Sequence, residues 1–522
     1  MNGAQSLIGS LTAAGVDVCF SNPGTSEMHF VAALDSVPAM RGVLALFEGV
    51  ATGAADGYAR MTGRPAAVLL HLGPGLANGL ANLHNARRAG TPVLVIVGGH
   101  ATGHVRYDAP LQSDIEALAR TVSGWVHTSG TTRDLAPDAM RALTAARRGQ
   151  IATLVLPADV SWSEGGALAP PGPAPRPEAV GDDQVSAVAG VLAGGEPALL
   201  LLGGTALTER GLRAASRVSA ATGARLLAET FPARMEQGAG VPAVDRLAYL
   251  AEAAEAQLAG TGQLILAGAR SPVSFFAYPG RPSDLVPDGC AVRRLADRGQ
   301  DAEAALERLA DQVAAGTEPV LARHSVPEPA QGPLTAISLA NTVARSLPEH
   351  AIIADEANTT GFALPKALAT AARHTLLTLT GGSIGQGLPV ATGAAVAAPD
   401  RPVVSLEADG SALYTIQALW TQAREQLDVT TVLINNAAYA VLRLELARTA
   451  AGQPGERAMR MLDLSGPTPD FTAISTGLGV PAVRVTTAED LDQALRRACA
   501  QPGPHLIEAI VPPVVPPPGT AW

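Results

Sequence analysis

The stretch Leu406-Glu407-Ala408-Asp409-Gly410-Ser411 ends one apolar run of this chain, and Asn435-Asn436, 24 residues after Ser411, ends the next. A helix-like segment separates the two runs. This alternation predicts two parallel strands whose carboxyl ends are neighbours, at the edge where open α/β sheets bind ligands. Asp and Asn oxygens there suit a hard cation such as Mg²⁺, which is often shared with a phosphate, and Gly410 lets a phosphate approach the backbone closely.

The bulk composition indicates a large folded chain without nucleic-acid or membrane binding. Of 522 residues, 47% are apolar and 16% charged, with a formal net charge of −10 and no long basic run. No apolar stretch approaches the roughly 18 residues that a membrane helix needs. Cys19, Cys290 and Cys499 are far apart and are expected to be reduced thiols. The N-terminus lacks the cationic region of a signal peptide, so we expect a cytoplasmic protein.

Short apolar runs alternate with Ala-rich stretches along the whole chain, which predicts an α/β fold built from mainly parallel sheets flanked by helices. Two Pro-rich breaks, 169–177 and 324–333, divide it into three domains, at 1–165, 181–320 and 335–515. The Pro-rich tail, 512–518, is expected to run along the surface. The predicted strands are Ala66–His71, Val93–Val97, Thr153–Pro157, Ala198–Leu202, Leu264–Ala267, Ile352–Asp355, Val403–Leu406, Thr431–Ile434 and Leu506–Ile510.

Near the N-terminus, Glu48 follows a run that reads as a buried strand, Val43 to Phe47, and precedes a small-residue helix from Gly49 to Met61. An acid between such elements is expected to be partly buried. Taken alone, it is more often an N-terminal helix acid that the helix dipole favours. Its interpretation therefore depends on the motifs around it.

Five blocks in order resemble the thiamine-diphosphate enzymes of the acetolactate synthase, benzoylformate decarboxylase and pyruvate oxidase type. They span the chain, and the family's Gly-Asp-Gly motif carries Ala408 in place of its first Gly here. The blocks are Phe20–Ser26, the segment around Glu48, Leu70–Gly79, Gly381–Pro389 and the Asp409 to Asn436 pair.

The resemblance implies thiamine diphosphate and Mg²⁺ as cofactors and assigns positions to them. Glu48 would hydrogen-bond the aminopyrimidine and promote formation of the ylide, which attacks a 2-oxo carbonyl and gives an enamine after loss of CO₂. The carbonyl of Gly382 would meet the 4′-amino group, and Ile384 would hold the bent cofactor. The Mg²⁺ ligands would be Asp409, Asn436 and the Ala438 carbonyl, and the remaining cofactor contacts Asn358, Thr359, Gly410, Ser411 and Tyr439. Asn358 and Thr359 also fit simple turn residues.

The substrate positions that the resemblance implies are Thr25, Ser26, His71, Phe275, Leu442 and Glu445, and among them Thr25 and His71 are predicted to be catalytic together with Glu48. His71 matches an active-site His of benzoylformate decarboxylase and could relay protons, although it could also simply cap a strand end. Phe275 stands where that decarboxylase has a second His. Glu445 replaces an aromatic residue and either makes the pocket polar, favouring a hydroxylated or cationic substrate, or is a solvated helix residue. In the first case it would need a partner such as Arg443 or Arg448 unless protonated.

The resemblance implies a homo-oligomer, a dimer or a dimer of dimers, in which Glu48 and Asp409 meet across the interface between subunits. The predicted function is decarboxylation of a small 2-oxo acid, as in benzoylformate decarboxylase. The alternatives are an acetolactate-synthase-like carboligase that forms 2-hydroxy ketones, and a non-catalytic relative. The Rossmann-like central segment lacks a full Gly-x-Gly-x-x-Gly fingerprint and is interpreted as structural.

Overall fold

The computed structural model describes residues 1–449 and 454–513, and three mainly parallel sheets flanked by helices confirm the predicted α/β fold. The N-terminal sheet has the order β2-β1-β3-β4-β6-β5, with all neighbours parallel. Its strands are β1 (Val18–Ser21), β2 (Arg41–Leu44), β3 (Ala66–His71), β4 (Val93–Gly99), β5 (Trp125–Thr128) and β6 (Ile151–Pro157). The accompanying helices are α1 (Gly3–Ala13), α2 (Met28–Ser36), α3 (Glu48–Thr62), α4 (Leu72–Ala89), α5 (Ile115–Arg120), α6 (Thr132–Ala146) and α7 (Ala158–Trp162).

The middle sheet is smaller and also parallel, with the order β11-β10-β7-β8. The strands of this part of the chain are β7 (Ala198–Leu202), β8 (Arg225–Ala228), β9 (Met235–Gln237), β10 (Gln263–Ala267) and β11 (Ala291–Ala296). Its helices are α8 (Asp182–Ala193), α9 (Glu209–Thr222), α10 (Ala251–Leu258) and α11 (Ala302–Val313). Strand β9 does not belong to this sheet and instead pairs antiparallel with a strand of the C-terminal sheet. The two predicted domains at 181–320 and 335–515 therefore contribute strands to one sheet.

The C-terminal sheet has the order β16-β17-β15-β14-β12-β13-β9. Its strands are β12 (Ala351–Glu356), β13 (His374–Thr378), β14 (Val403–Ala408), β15 (Val429–Asn435), β16 (Ala482–Val485) and β17 (His505–Ile510). The helices are α12 (Ala336–Ser346), α13 (Leu364–Leu368), α14 (Gly387–Ala397), α15 (Asp409–Thr415), α16 (Ala418–Arg424), α17 (Ala440–Arg448), α18 (Glu456–Arg460), α19 (Phe471–Gly477) and α20 (Ala488–Cys499). Without β9, its strands follow one another as those of the N-terminal sheet do, so the two sheets share one topology.

All nine predicted strands lie within observed strands. The predicted buried strand Val43 to Phe47 is wrong in its limits, and Leu46 within it is 43% exposed, whereas Val43 and Ala45 are buried. Pairing of β2 with β1 ends at Leu44, and Phe47 is already the N-cap of α3. Strand β2 is also the edge of the sheet, so Arg41 and Gly42 are exposed. The helix-like segment after Asp409 is two short helices, α15 and α16. Most of the Pro-rich tail, from residue 514, lies outside the described residues.

Helix α3 packs directly on α14, and this contact joins the N-terminal and C-terminal sheets into one hydrophobic core. The approach is close because both helices carry glycine where their backbones meet. A Cβ at Gly57 would lie 2.1 Å from the Val390 carbonyl oxygen, and one at Gly393 would lie 1.8 Å from the Ala54 carbonyl oxygen. The small-residue stretch after Glu48 therefore serves helix packing, as predicted. None of the helices in the described ranges is long and apolar enough to cross a membrane.

Candidate active site

The carboxyl ends of β14 and β15 bring the two quoted motifs together. The strands pair in parallel register as far as Ala408 and Ile434, so Asp409 and Asn436 follow them at the same sheet edge. Asp409 is buried, and its Oδ2 accepts a hydrogen bond from the Ala437 N–H at 2.7 Å. The predicted juxtaposition of these motifs is thus present in the fold.

Asp409 is a buried carboxylate whose surroundings fit a cation. Burial raises its pKa from 3.8 to about 6, even though backbone N–H groups, including that of Gly410, lower it. Among the described residues, no cationic side chain forms an ion pair with it, and no cluster of three or more His, Cys, Asp or Glu side chains surrounds it. The Asn436 side-chain oxygen accepts from the Ala438 N–H at 3.0 Å and keeps a second lone pair. One acid and neutral oxygens are a set that suits Mg²⁺.

The predicted phosphate contacts lie around this carboxylate. Asn358 adopts a left-handed conformation, with φ of 50°, and its Nδ2 donates to Ser411 Oγ at 2.9 Å. A Cβ at Gly410 would lie 2.5 Å from Cε1 of Tyr439, so the ring packs against the glycine backbone. Thr359 is buried next to Asn358. Asn358, Ser411, Gly410 and Tyr439 therefore lie together next to Asp409.

The glycine loop, residues 380–386, runs beside this region and carries Gly382 and Ile384. Gly382 and Gly385 have φ of 72° and 90°, conformations that favour glycine. Buried Glu356, at the end of β12, anchors the far end of the loop by accepting from the N–H groups of residues 385, 386 and 387 at 2.7, 2.8 and 2.5 Å. Burial nevertheless raises the pKa of Glu356 to about 7.

Sequence reasoning missed Glu356 and also Glu407, although the latter lies inside the quoted motif. Glu407 is completely buried, and no side chain in the described part of the chain donates a hydrogen bond to its carboxyl oxygens. Burial and the nearby Glu356 raise its pKa well above the usual range. The available signal was its position within the apolar β14, because parallel strands are buried on both faces.

In the N-terminal part, Glu48 begins α3 and is buried, with 9% of the residue exposed. Asn78 of α4, which sequence reasoning also missed, donates its Nδ2–H to Glu48 Oε2 at 3.0 Å. The expectation that this acid is partly buried is confirmed. One of its carboxyl oxygens is held, which fixes the direction of the other.

His71, at the end of β3, is held by a carboxylate that sequence reasoning did not identify. Its Nδ1 lies 2.9 Å from Glu27 Oε2 and 3.2 Å from Ser26 Oγ. Glu27 is buried and also accepts from the Gly24 N–H at 2.8 Å. Because a carboxylate only accepts hydrogen bonds, Nδ1 carries the proton and Nε2 is left for other partners. Thr25 is exposed, so the hydroxyl that contacts the imidazole belongs to Ser26.

Two glycines make this arrangement possible. A Cβ at Gly24 would lie 2.2 Å from the His71 ring, and one at Gly98 would lie 1.7 Å from Glu27 Oε1. Gly24 was part of the quoted Phe20–Ser26 block. Glu27 follows that block directly, and an acid beside a predicted His site was the signal that could have indicated it.

Glu445 is not a solvated helix residue, because its side chain is only 15% exposed. It accepts hydrogen bonds from Tyr278 OH at 2.8 Å and Tyr249 OH at 3.3 Å, and Arg448 Nε lies 3.8 Å away. Burial, together with Glu445, raises the pKa of Tyr249 and takes that of Tyr278 to about 12, so both phenols stay protonated. Of the two predicted partners, Arg448 is the one beside Glu445, whereas Arg443 lies 3.8 Å from Asp463.

Phe275 belongs to an aromatic cluster with Phe231, Tyr249 and Phe276, at ring-centroid distances of 5.9, 5.1 and 4.9 Å. The tip of its ring covers Gly382, since a Cβ there would lie 2.7 Å from Cζ. Phe275, Phe276 and Leu442 are large apolar residues that are 42, 52 and 45% exposed.

The predicted residues therefore form two groups within the chain. One contains Asp409 and Asn436, together with Phe275 against Gly382 and Glu445 on α17; the other contains Thr25, Ser26, Glu48 and His71. In the described parts of the chain, no direct hydrogen bond or ion pair joins the second group to Asp409 or Asn436. The prediction that they meet across a subunit interface stays a prediction.

Comparisons with known proteins follow the same division. A family model for the N-terminal TPP binding domain of thiamine pyrophosphate enzymes matches residues 1–119, and the corresponding C-terminal model matches residues 363–509. A Mycobacterium tuberculosis protein with the provisional name acetolactate synthase large subunit is 62% identical over 517 residues, covering 99% of this chain and 100% of its own. Benzoylformate decarboxylase of Pseudomonas aeruginosa is 29% identical over 532 residues, covering 95 and 96%.

Solved structures show the same fold over nearly the whole length. A thiamine-diphosphate-dependent 4-hydroxybenzoylformate decarboxylase from Rhodococcus jostii RHA1 superposes with a TM-score of 0.85 at 24% identity, covering 98% of this chain and 99% of that chain. Benzoylformate decarboxylase from Polynucleobacter necessarius gives 0.84 at 22% identity, covering 99 and 100%. These likenesses concern the arrangement of the three sheets.

Proposed function

Because this chain belongs to the thiamine pyrophosphate enzyme family, we propose that it is a thiamine-diphosphate- and Mg²⁺-dependent decarboxylase of 2-oxo acids. The pairing of His71 with Glu27 carries the proposal of decarboxylation. An imidazole whose Nδ1 is held by a buried carboxylate presents Nε2, a nitrogen that can give and take a proton, which protonation of a product carbon requires.

The cofactor would be held at the edge of β14 and β15. Asp409, the Asn436 side chain and the Ala438 carbonyl would bind Mg²⁺, and Asn358, Thr359, Gly410, Ser411 and Tyr439 would contact the diphosphate. Gly382 and Ile384 would contact the rest of the cofactor. When bound, thiamine diphosphate supplies a carbon nucleophile and an electron sink for the loss of CO₂.

The protein's own groups then have separate tasks. Glu48, with one oxygen fixed by Asn78, would hold a proton at the pyrimidine ring. His71 Nε2 would exchange a proton with the substrate-derived carbon, while Glu27 keeps the proton on Nδ1. Thr25 and Ser26 line the same strand end and would contact the substrate carboxylate.

The side chain of the substrate would face an apolar wall. Phe275, which covers Gly382, and its neighbour Phe276 are exposed, as is Leu442 of α17, whereas the Glu445 carboxylate already accepts hydrogen bonds from two tyrosines. A 2-oxo acid with an aromatic or branched apolar side chain fits this wall. The likeness to a benzoylformate decarboxylase over nearly the whole chain supports the same choice.

Carboligation is the second candidate, in which the carbon left after loss of CO₂ would join a second carbonyl compound to give a 2-hydroxy ketone. The provisional acetolactate synthase name of the 62% identical M. tuberculosis protein favours it. Decarboxylation and carboligation share the first half of the reaction. They differ in whether the substrate-derived carbon then bonds to a proton or to the carbonyl carbon of the acceptor.

Product analysis tests the proposal. The purified protein with thiamine diphosphate and Mg²⁺ is given pyruvate, benzoylformate and branched-chain 2-oxo acids, each with and without an acceptor aldehyde. CO₂ with free aldehyde supports decarboxylation, and a 2-hydroxy ketone supports carboligation. Absence of CO₂ with every substrate, despite bound cofactor, would favour a non-catalytic relative. The comparison of His71→Ala with His127→Ala, whose imidazole pairs with Asp138 at 3.0 Å, assigns any effect to the site.

A further inference from the structure

Helix α4 carries three asparagines, Asn78, Asn82 and Asn85, at a spacing that places them on one face of the helix. Asparagine is unfavourable inside helices because its side chain competes for backbone hydrogen bonds. Asn82 and Asn85 are nevertheless buried, with 2 and 0% of each residue exposed. Their presence there indicates that their side chains satisfy polar groups outside α4.

Asn82 connects two distant parts of the chain through one amide group. Its Nδ2 donates to the Gly49 carbonyl at 2.8 Å and to the Gly385 carbonyl at 3.1 Å. Gly49 is the neighbour of Glu48, and Gly385 lies in the glycine loop. The same side chain accepts from Asn85 Nδ2 at 3.0 Å, so both donors and the acceptor of Asn82 are used.

Asn85 holds the glycine loop more directly. Its Nδ2 donates to the Ser383 carbonyl at 2.7 Å, and its Oδ1 accepts from the Ser383 N–H at 3.2 Å. The loop comes so close that a Cβ at Gly381 would lie 2.4 Å from Asn85 Oδ1. Thr380 Oγ1 also donates to the Asn85 carbonyl, at 2.8 Å.

These contacts complete the support of a segment that lacks regular backbone hydrogen bonding. Glu356 holds the N–H groups at the far end of the glycine loop from within the C-terminal part. From the N-terminal part, Asn85 holds the middle of the loop at Ser383, and Asn82 holds the Gly385 carbonyl. Ile384, between Ser383 and Gly385, is therefore positioned by residues on both of its sides.

We propose that Asn82 and Asn85 are positioning residues for the glycine loop, and that Asn82 also ties this loop to the start of the helix that carries Glu48. The inference rests on the proposed function, in which the loop supports the cofactor and Glu48 contacts it. A movement of the Gly385 carbonyl on cofactor binding is then transmitted to the Gly49 carbonyl, because the Asn82 amide donates hydrogen bonds to both.

Asn82→Ala and Asn85→Ala test the proposal, with Asn341→Ala as the matched control, since Asn341 lies half-buried in the middle of α12. Hydrogen–deuterium exchange is measured on the cofactor-free protein. We expect faster exchange in residues 380–387 for both variants, faster exchange in residues 49–53 for Asn82→Ala alone, and no change at either place in the control. If Asn82→Ala does not fold, Asn82→Ser is used in its place, because serine keeps one hydrogen-bond donor.

Calorimetric titration with thiamine diphosphate and Mg²⁺ separates positioning from general stability. We expect the dissociation constant to rise about tenfold in both variants, and not in the control. Unchanged exchange in residues 380–387, or faster exchange with unchanged affinity, would overturn the proposal. Failure of the unaltered protein to bind the cofactor would refute the proposed function, whereas the exchange data would still decide whether the asparagines hold the loop.

Discussion

At the scale of single residues, His71 depends on Glu27 for its orientation and its tautomer. We expect Glu27→Gln to lower kcat about 10- to 100-fold, because the amide can present an N–H to Nδ1 and shift the imidazole proton to Nε2. The KM for the 2-oxo acid should change much less, since Glu27 is buried behind the His. Steady-state kinetics at one pH, with CO₂ release as the readout, measures both parameters.

The control for this prediction is Asp138→Asn. Asp138 is another buried carboxylate that pairs with an imidazole, His127, at 3.0 Å, and it lies outside the candidate site. Its replacement should leave kcat unchanged. Equal losses in the two variants would show that Glu27 acts through stability alone.

Glu356 gives a second prediction at this scale, concerning pH and stability. The folded protein holds this proton up to a pKa of about 7, whereas the ordinary value is 4.5. Between pH 4.5 and about 7 the folded state binds more protons than the unfolded state, so the free energy of unfolding falls as pH rises. The stabilisation that comes from protonated Glu356 is lost above about pH 7. We expect Glu356→Gln to remove about 3 kcal/mol of this dependence. Denaturant unfolding of the cofactor-free protein between pH 5 and 8 checks it, and equal slopes in both proteins would contradict it.

Some residue positions followed from sequence and others could not. Asp409 and Asn436 were expected to be neighbours because both follow strands, and parallel strands end at one edge. The partners of Glu445 were not predictable, since Tyr249 and Tyr278 lie 196 and 167 positions away in the chain. Such contacts depend on how the middle part packs on α17, which periodicity does not encode.

At the scale of elements, strands were predicted well because buried parallel strands are continuous apolar runs. The run Val43 to Phe47 misled because its last three residues lead into α3, where the chain must turn to place Glu48 at the helix start. Strand β9 was not predicted, since three residues that pair at a sheet edge carry little pattern. Asn82 and Asn85 were overlooked because asparagines in a helix usually indicate its exposed face.

Contacts before and within α17 lead to a prediction about Glu445. Ala437, three residues before the helix, donates its N–H to Asp409 Oδ2 at 2.7 Å, and Glu445 within the helix accepts a hydrogen bond from Tyr278 OH at 2.8 Å. We expect Tyr278→Phe to lower the free energy of unfolding by about 1–3 kcal/mol, because a buried carboxylate loses a donor. Glu445→Gln should leave the preference between neutral and cationic 2-oxo acids unchanged, since this carboxylate is already engaged.

Denaturant unfolding and competition between pairs of substrates measure these two effects. Tyr107→Phe is the control, because Tyr107 is 64% exposed and its hydroxyl should contribute little. If Glu445→Gln markedly lowers the rate with cationic 2-oxo acids relative to neutral ones, Glu445 instead faces the substrate and makes the pocket polar.

At the scale of the whole molecule, the N-terminal and C-terminal sheets share a topology and are joined through α3 and α14. The group with Asp409 lies on the C-terminal sheet, and the group with Glu48 and His71 lies on the N-terminal sheet. Within one chain, Asn82 connects the start of α3 to the glycine loop. This arrangement leaves two ways to complete an active site, either within one chain or between the N-terminal part of one chain and the C-terminal part of another.

Complementation between two inactive variants distinguishes these arrangements. Glu48→Gln and Asp409→Asn should each abolish activity alone. If sites form between chains, a mixed dimer has one site with both changes and one with neither, so random mixing should restore about a quarter of the unaltered activity. If sites form within one chain, every site in the mixture carries one change and activity stays absent. Co-expression with two affinity tags isolates the mixed dimer, which should have about half of the unaltered activity because one of its two sites is intact. A dimer of Glu48→Gln with His71→Ala is the control, because both changes lie in the N-terminal part and every site would stay defective.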